Sequence, residues 1–298
     1  MIKTVLIIPH IIVHNANALS SPFTIGFPAM TAWLGATHAL QRKLNSDGFN
    51  ELKFTATAVL SHKADLQVHK GVGDYVNSII GTSNPVDKDG KRPAFIEEAR
   101  IHLDISLVIE FSGLEKIDEE RFMQRVSYHL KSRMKMASGD IFGLKKPIIE
   151  RVEDGEEDDI KRIRRKLMPG YALVERRDLM IEAMDSGLDA MDALLEYVTI
   201  NNSCQKDDDE KVLWTSRRKS AGWIVPIATG FQAISELRKA KNQRDASTPH
   251  RFAESVVTLG EFKMVYKIDS LDEILWHYNV DKEHGLYLCE QNKNTRKK

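Results

Sequence analysis

A chain of 298 residues can bury one large core or two ordinary ones, and its 42% hydrophobic and 29% charged content is that of a folded globular protein rather than a disordered one. No stretch approaches the ~20 apolar residues that span a bilayer, so no membrane association is expected. A formal net charge of zero argues against a nonspecific nucleic-acid coat protein, which is ordinarily basic.

Residues 4–13 read as a largely buried strand, because Val5, Leu6, Ile7, Ile8, Ile11, Ile12 and Val13 are nearly continuous. Pro9 and His10 interrupt this run and no small-residue cleavage site follows, which favours a core strand over a signal peptide. The next segment is rich in Asn, Ser, Pro and Gly and too polar for a minimal turn. Residues 28–44 then read as a helix, with Pro28 suited to its first turn and Met30, Trp33, Leu34, Thr37, Leu40 and Leu44 as its apolar stripe. Residues 51–60 alternate as a strand. The stretch 62–98 is far longer than an ordinary connection and carries several Gly and Pro with Lys63, Lys70, Lys88, Lys91 and Arg92, which reads as a projecting basic hairpin, or thumb.

Residues 100–111 give the clearest strand. Ile101, Leu103, Ile105, Leu107, Ile109 and Phe111 point to a core; Arg100, His102, Asp104, Ser106, Val108 and Glu110 point to solvent or a partner. A helix over 119–136 and a further strand within 141–152 follow. This is the βαββαβ order of ferredoxin-like and RNA-recognition-motif folds. The expected class is α+β: a core of that type over 1–152, with the thumb at 62–98, and an irregular α/β extension over 153–298 packed on it.

In the second half, 158–167 reads as a helix with acid first and base last. A turn and short strand follow from Met168, then a helical segment over 178–200 weakened at Gly187, and a polar surface loop over 201–209. Residues 221–228 read as a strand, 251–259 and 271–278 as helices, and 285–289 as a last strand. The tail from Asn292 reads as disordered.

No catalytic or metal motif emerges. His10 and His14 on one strand are ~13 Å apart, too far to share a zinc ion, and His62, Asp65 and His69 lie on a poor helix without a fourth ligand. The pair Gly71 and Gly73 lacks the third glycine and flanking elements of a dinucleotide site, and there is no P-loop, HExxH or GxSxG. Cys204 and Cys289 have no metal or redox spacing and read as free thiols in a reducing cytoplasm. No cofactor and no metal is expected. His14, His38 and His102 could border an RNA groove, which keeps metal-independent cleavage open as an alternative.

RNA binding is the chemistry best served. The charges segregate into acidic blocks at 150–159 and 207–210 and basic blocks at 161–166, 217–219, 238–244 and 296–298, as suits one face for RNA and another for protein. The strand over 100–111 lacks the aromatic RNA-recognition signature, so contacts to phosphates and 2′-hydroxyls fit better than base stacking. Asn15, Asn17, Ser20 and Ser21 can donate to and accept from sugars and base edges, or can instead cap their own loop.

Six collinear segments carry a resemblance: NANALSSPFTIGFP with its helix to HALQRKL, NPVDKDG with IEEARIHLDISL, RRKLMPGYALVERRDL, GWIVPIATGFQAIS, RDASTPHRFAESVVTLGEF, and LDEILWHY with KEHGLY. Together they resemble the Csy-two subunit family of type I-F CRISPR surveillance complexes, a branch of the Cas-five family. The resemblance implies a noncatalytic, single-copy cytoplasmic subunit that caps the 5′ handle of the CRISPR RNA with the Csy large subunit. It further implies contact with the Csy-three backbone, which it would start, with target DNA in the assembled complex, and with phage anti-CRISPR proteins. Carried onto this chain, it points to Asn15, Asn17, Ser20, Ser21, Arg100, Arg164, Arg165, Arg244 and Arg251 for RNA, and to Lys88, Lys91 and Arg92 on the thumb. Ile25 stands where some relatives have Trp. The alternative within the same superfamily is an endoribonuclease that processes precursor CRISPR RNA.

Overall fold

The computed structural model describes residues 2–79, 86–91, 98–153, 156–206, 211–241, 243, 245 and 247–291. Strand β1 (Ile2–Asn17) extends the first apolar run at both ends. Helix α1 (Met30–Ser46) buries Met30, Trp33, Leu34, Thr37, Leu40 and Leu44, as its spacing predicts. It starts just after Pro28, whose carbonyl accepts the Trp33 indole N–H at 3.2 Å. Strands β2 (Lys53–Leu66) and β3 (Arg100–Ser112) follow. Helix α2 (Glu119–Arg133) ends before residue 136, because Lys135–Met136 turns away to pair with β4 (Gly139–Gly143). The single strand expected within 141–152 is two strands, β4 and β5 (Ile148–Glu153), divided by Pro147, which has no N–H for a ladder.

Beyond α3 (Glu157–Leu167) and β6 (Tyr171–Glu175), the helical segment breaks at Gly187 (φ +103°) into α4 (Arg177–Asp185) and α5 (Ala190–Val198). Three expectations need correction. The loop at 201–209 begins a hairpin, β7 (Asn201–Lys206) and β8 (Val212–Arg217), whose two strands are exposed throughout. Strand β9 (Ile224–Ala233) pairs with β10 (Ala253–Met264), so 251–259 is strand rather than helix; the β-branched run Val256, Val257, Thr258 fits a ladder better than a helical turn. At 271–278, Ser270 does form a capping box, but only one 3-10 turn (Leu271–Glu273) results. The aromatic stretch after it extends as β11 (Trp276–Asp281) and pairs with β12 (Leu286–Gln291).

The class is α+β, built on a large antiparallel sheet. Among the described residues eleven strands share it, in the order β6, β10, β9, β12, β11, β2, β3, β1, β4 and Lys135–Met136, with β5 also on β1. β6 pairs with β2 as well as with β10, so β6, β10, β9, β12, β11 and β2 close into a ring. The sheet therefore runs unbroken from the N-terminal half into the C-terminal half.

Both faces are covered, but unequally. On one face Leu6, Ile8, Ile11 and Val13 of β1 pack with Leu103, Ile105 and Leu107 of β3 beneath Trp33, Leu40, Phe122 and Val126 of α1 and α2. Trp276 joins this cluster and donates its indole N–H to the Leu173 carbonyl at 2.9 Å. On the other face Val5, Ile7, Ala58, Leu60 and Val108 pack under Ile160, Ile163 and Leu167 of α3 and under Ile268, Leu271 and Ile274. Each such side chain contributes about 1.5–3 kcal/mol over its exposed state. The face of β3 expected to be open is thus only half open: Ser106 and Val108 are fully buried, and Arg100, His102 and Asp104 are not. A third cluster seats α4 and α5 on β9 and β10 through Leu179, Leu194, Tyr197, Ile224 and Leu259. Both cysteines are free thiols; that of buried Cys289 is pushed up to about 12 by its burial. No helix among the described residues is long and apolar enough to cross a membrane.

One ion cluster fixes the end of α1 to α2. Asp47 accepts from Arg125 Nε at 2.7 Å and its terminal nitrogen at 2.9 Å, and from buried His129 Nε2 at 2.5 Å. The Arg125 hydrogen bonds above all hold the Asp47 carboxyl at about 2, below the ordinary aspartate range. A carboxyl held low in the folded state stabilises above its unfolded pKa and loses that contribution as pH falls through the folded one. Asp47→Asn should therefore cost about 1–3 kcal/mol at pH 7. In urea titrations across pH, the gap between wild type and variant should hold down to about pH 4 and close towards about pH 2; a gap independent of pH would mean that Asp47 is not the ionised partner of Arg125.

Candidate nucleic-acid interface

The open half of the sheet's outer face is shaped by two bulges in β1. Between Ile8 and Ile11, β1 spends three steps while β3 advances two, from Leu107 to Ile105. His10 sits in this bulge at φ +50°, with its N–H on Ser106 Oγ at 3.0 Å and its Nδ1 3.0 Å from an Asp104 carboxylate oxygen. The second bulge lies between Val13 and Ala16 and places Asn15 at φ +55°. The Asn15 backbone N–H donates to His102 Nδ1 at 3.0 Å. Gly139 makes the second bulge possible, since a Cβ there would meet the His14 carbonyl oxygen at 2.7 Å and Ala16 N at 2.8 Å.

Five rings line this surface. His14 stacks on Phe142 (centroids 4.2 Å apart) and tilts against His102 at 4.7 Å; His10 stacks on His62 at 4.3 Å. His62 donates from Nδ1 to the Pro169 carbonyl at 2.6 Å and accepts at Nε2 from the Ser106 hydroxyl at 2.7 Å. Burial lowers the pKa of His62, favouring its neutral form. His10, His62 and Asp104 bring one ligand atom each within 4.8 Å of one another. None of this was legible from spacing: His10, His62 and Asp104 come from three strands, and the bulge that turns His10 has no glycine to announce it.

The sequence-predicted residues divide into separate places. Asn17 faces Arg100 across the β1–β3 ladder, next to the second bulge. The Asn17 amide brackets Leu19, accepting its N–H and donating to its carbonyl, both at 3.1 Å. Ser20 and buried Ser21 lie 2.9 and 2.7 Å from the Thr24 hydroxyl in the small ladder Leu19–Ser21 with Thr24–Ile25. Among the described residues the exposed Asn15 amide makes no side-chain hydrogen bond, so of the four polar loop residues it is the one with its side chain unspent. Arg100 pairs with Glu98. Beyond β2 the chain forms the short ladder Val68–His69 with Ser78–Ile79, and Lys88 and Lys91 are exposed on a turn in which Asp87 accepts the Lys91 N–H at 2.8 Å. Arg164 is committed elsewhere: it donates to the Ile268 carbonyl, at 2.8 Å from Nε, and to Asp269, docking α3. Arg165 beside it is exposed. Arg251 lies on the C-terminal limb against Gly285, its Nε buried and without a hydrogen-bond partner among the described residues. Arg92 and Arg244 lie outside the described residues, as do the acidic run 207–210 and the tail from 292.

Of the three histidines weighed for cleavage, His14 and His102 lie together on the sheet face opposite the one α1 covers, whereas His38 is exposed on α1 itself. His38 cannot attend one scissile phosphate with either of the others.

Comparison with known proteins agrees with this architecture's whole span. The family model described as CRISPR-associated protein (Cas_Csy2) matches residues 6–289. The CRISPR-associated protein Csy2 of Pseudomonas aeruginosa (strain UCBPP-PA14) is 30% identical over 312 residues, covering 96% of this chain and 94% of that protein. The match runs from the first strand to the last, and the chain belongs to the Csy2 family of type I-F CRISPR-associated proteins.

Proposed function

We propose that this protein is the noncatalytic subunit that caps the 5′ handle of the CRISPR RNA in a type I-F surveillance complex, together with the large subunit, and that it starts the backbone filament. The observation that carries the reading is family membership over residues 6–289. The topology supports an RNA-recognition-like core: β2, β3, β1 and β4 with β5 lie in that order, all antiparallel, with α1 and α2 on one face. The chain between β2 and β3 is the thumb of this reading, with Lys88 and Lys91 on it.

The handle would meet the bulged end of β1 and β3, where Asn15, Asn17 and Arg100 come together beside Ser20 and Ser21. Arg100 supplies charge to a phosphate and the Asn15 amide a donor and an acceptor to a sugar or base edge. Arg165, Arg244 and Arg251 would contact RNA on other elements, and Arg164 would act through the α3 dock. On the protein side, a two-stranded hairpin is marginal alone. β7 and β8 are exposed along their whole length, with Val212, Leu213 and Trp214 bare, and the large subunit is the partner we assign to them.

Four outcomes test this. Tagged protein purified with its partners should retain repeat-derived RNAs that share one 5′ end; recovery of unrelated RNA or none would overturn handle binding. Asn15→Gly keeps the left-handed backbone while deleting the amide and should weaken guide retention about tenfold, the worth of one or two hydrogen bonds. Arg100→Ala should lower the slope of log affinity against log salt by about 0.7, as one lost phosphate contact to a single strand does. Trp214→Ala should weaken capture of the large subunit by on the order of 2 kcal/mol while a directly added guide still binds. Cleavage of precursor RNA by the purified protein, abolished in His14→Ala, would instead favour the endoribonuclease reading.

A further inference from the structure

We propose that His10, Asp104 and His62 form a mononuclear site for a first-row transition metal ion, with zinc as the fitting occupant, on the open face of the sheet. Two imidazoles and a carboxylate are the donor set of zinc and related ions that keep a position open for water or a ligand. This inference stands on side-chain geometry alone and is independent of the RNA-capping reading.

The residues come from β1, β2 and β3, and the backbone is distorted to assemble them. The extra residue between Ile8 and Ile11, with His10 in the left-handed region, turns the His10 ring towards Asp104 and His62 rather than into the core. Such a conformation is uncommon for a residue with a Cβ and clusters at functional positions. The three ligand atoms already lie within 4.8 Å of one another, and His10 Nδ1 is 3.0 Å from Asp104. Tetrahedral zinc at ~2.0–2.1 Å from each donor sets donor–donor separations of about 3.4 Å, so side-chain adjustment suffices.

The surroundings fit as well. A metal-bound histidine ordinarily gives its other ring N–H to a carbonyl or carboxylate, which fixes the tautomer. His62 does so to the Pro169 carbonyl at 2.6 Å, leaving Nε2 with its lone pair towards the site. Burial favours the neutral imidazole that a metal requires. The side chains of His10 and Asp104 keep 25% and 24% of their exposure, enough for an ion to enter. On binding, the His10 proton moves to Nε2 and the Ser106 hydroxyl gives up His62 Nε2 while still accepting the His10 N–H. Lys145 places positive charge near His62, which lowers the affinity without occupying a ligand position.

The opposing reading is a metal-free strut of hydrogen bonds through the same four residues. The full-length protein, stripped with chelator, separates the two when titrated with Co²⁺ by visible absorption and with Zn²⁺ by calorimetry. One equivalent per chain is expected, with a tetrahedral Co²⁺ spectrum. Asp104→Asn and His10→Asn should each weaken binding by at least about tenfold. His14→Ala, on the neighbouring His102 and Phe142 stack, should leave it unchanged. Circular dichroism of each variant shows whether it folds, and Ser106→Ala, which removes the hydrogen bonds but no ligand, should still bind one ion. Failure of the wild type to bind one equivalent, or equal affinity in folded Asp104→Asn, overturns the site.

Discussion

Strand β1 has to be buried on both faces for the first half of its length, and the rest of the fold answers that demand. Val5 and Ile7 point one way and Leu6 and Ile8 the other, and all four are fully buried. A strand without a polar side needs a layer on each face and a neighbour on each edge. β3 takes one edge and β5 the other. Helices α1 and α2 cover one face, as βαββαβ connectivity allows. The second face needs α3 and the segment from Val265 to Leu275, which arrive only from the C-terminal half. The two halves are therefore joined by the first strand's own composition, and the continuous sheet through β2, β6 and β11 follows from it.

The same strand explains where the surface opens. Past Ile8 the apolar run is interrupted, two bulges let polar residues reach the outer face, and the covering layer stops. Fully buried Ser106 lies at that boundary, its hydroxyl held by the His10 N–H and His62 Nε2. An interior hydroxyl is tolerated because it is fully engaged. The polar half of the face is thus a consequence of where the core ends, and the residues there are positioned by strands rather than by loops.

Much of this was legible in the sequence and some of it could not be. The α1 stripe, the alternation of β3 and the break at Gly187 each depend on local spacing, and each stands where spacing put it. The ranges 251–259 and 271–278, expected as helices, hold the starts of strands β10 and β11. What decided them was pairing with β9 and β12, which lie outside any local window. The His10, Asp104 and His62 group was invisible for the same reason: residues brought together by register across three strands leave no signal in their separations along the chain. Asn15 was singled out for its chemistry, and its left-handed backbone adds a reason for Asn at that position that composition alone did not supply.

Charge follows the opposite course, because segregation along the chain does not survive folding. The basic block 161–166 meets the acidic block that precedes it: Arg162 pairs with Glu150 and Asp159, Lys166 with Glu150, and Lys161 with Glu157, while Arg164 pairs with Asp269 from the C-terminal half. Its helix face is largely neutralised, and Arg165 is the member with no ion pair among the described residues. Elsewhere Arg42, Lys43 and Arg133 line a groove of about 390 Å3 between α1 and α2, where the only acid among the lining residues, Asp47, is already held by Arg125 and His129. A chain with no net charge can present such a basic surface because an equal acidic charge lies elsewhere on it. The cations of α3 are spent on their acidic neighbours, and a count of charges along the sequence therefore misjudges which cations a polyanion could reach.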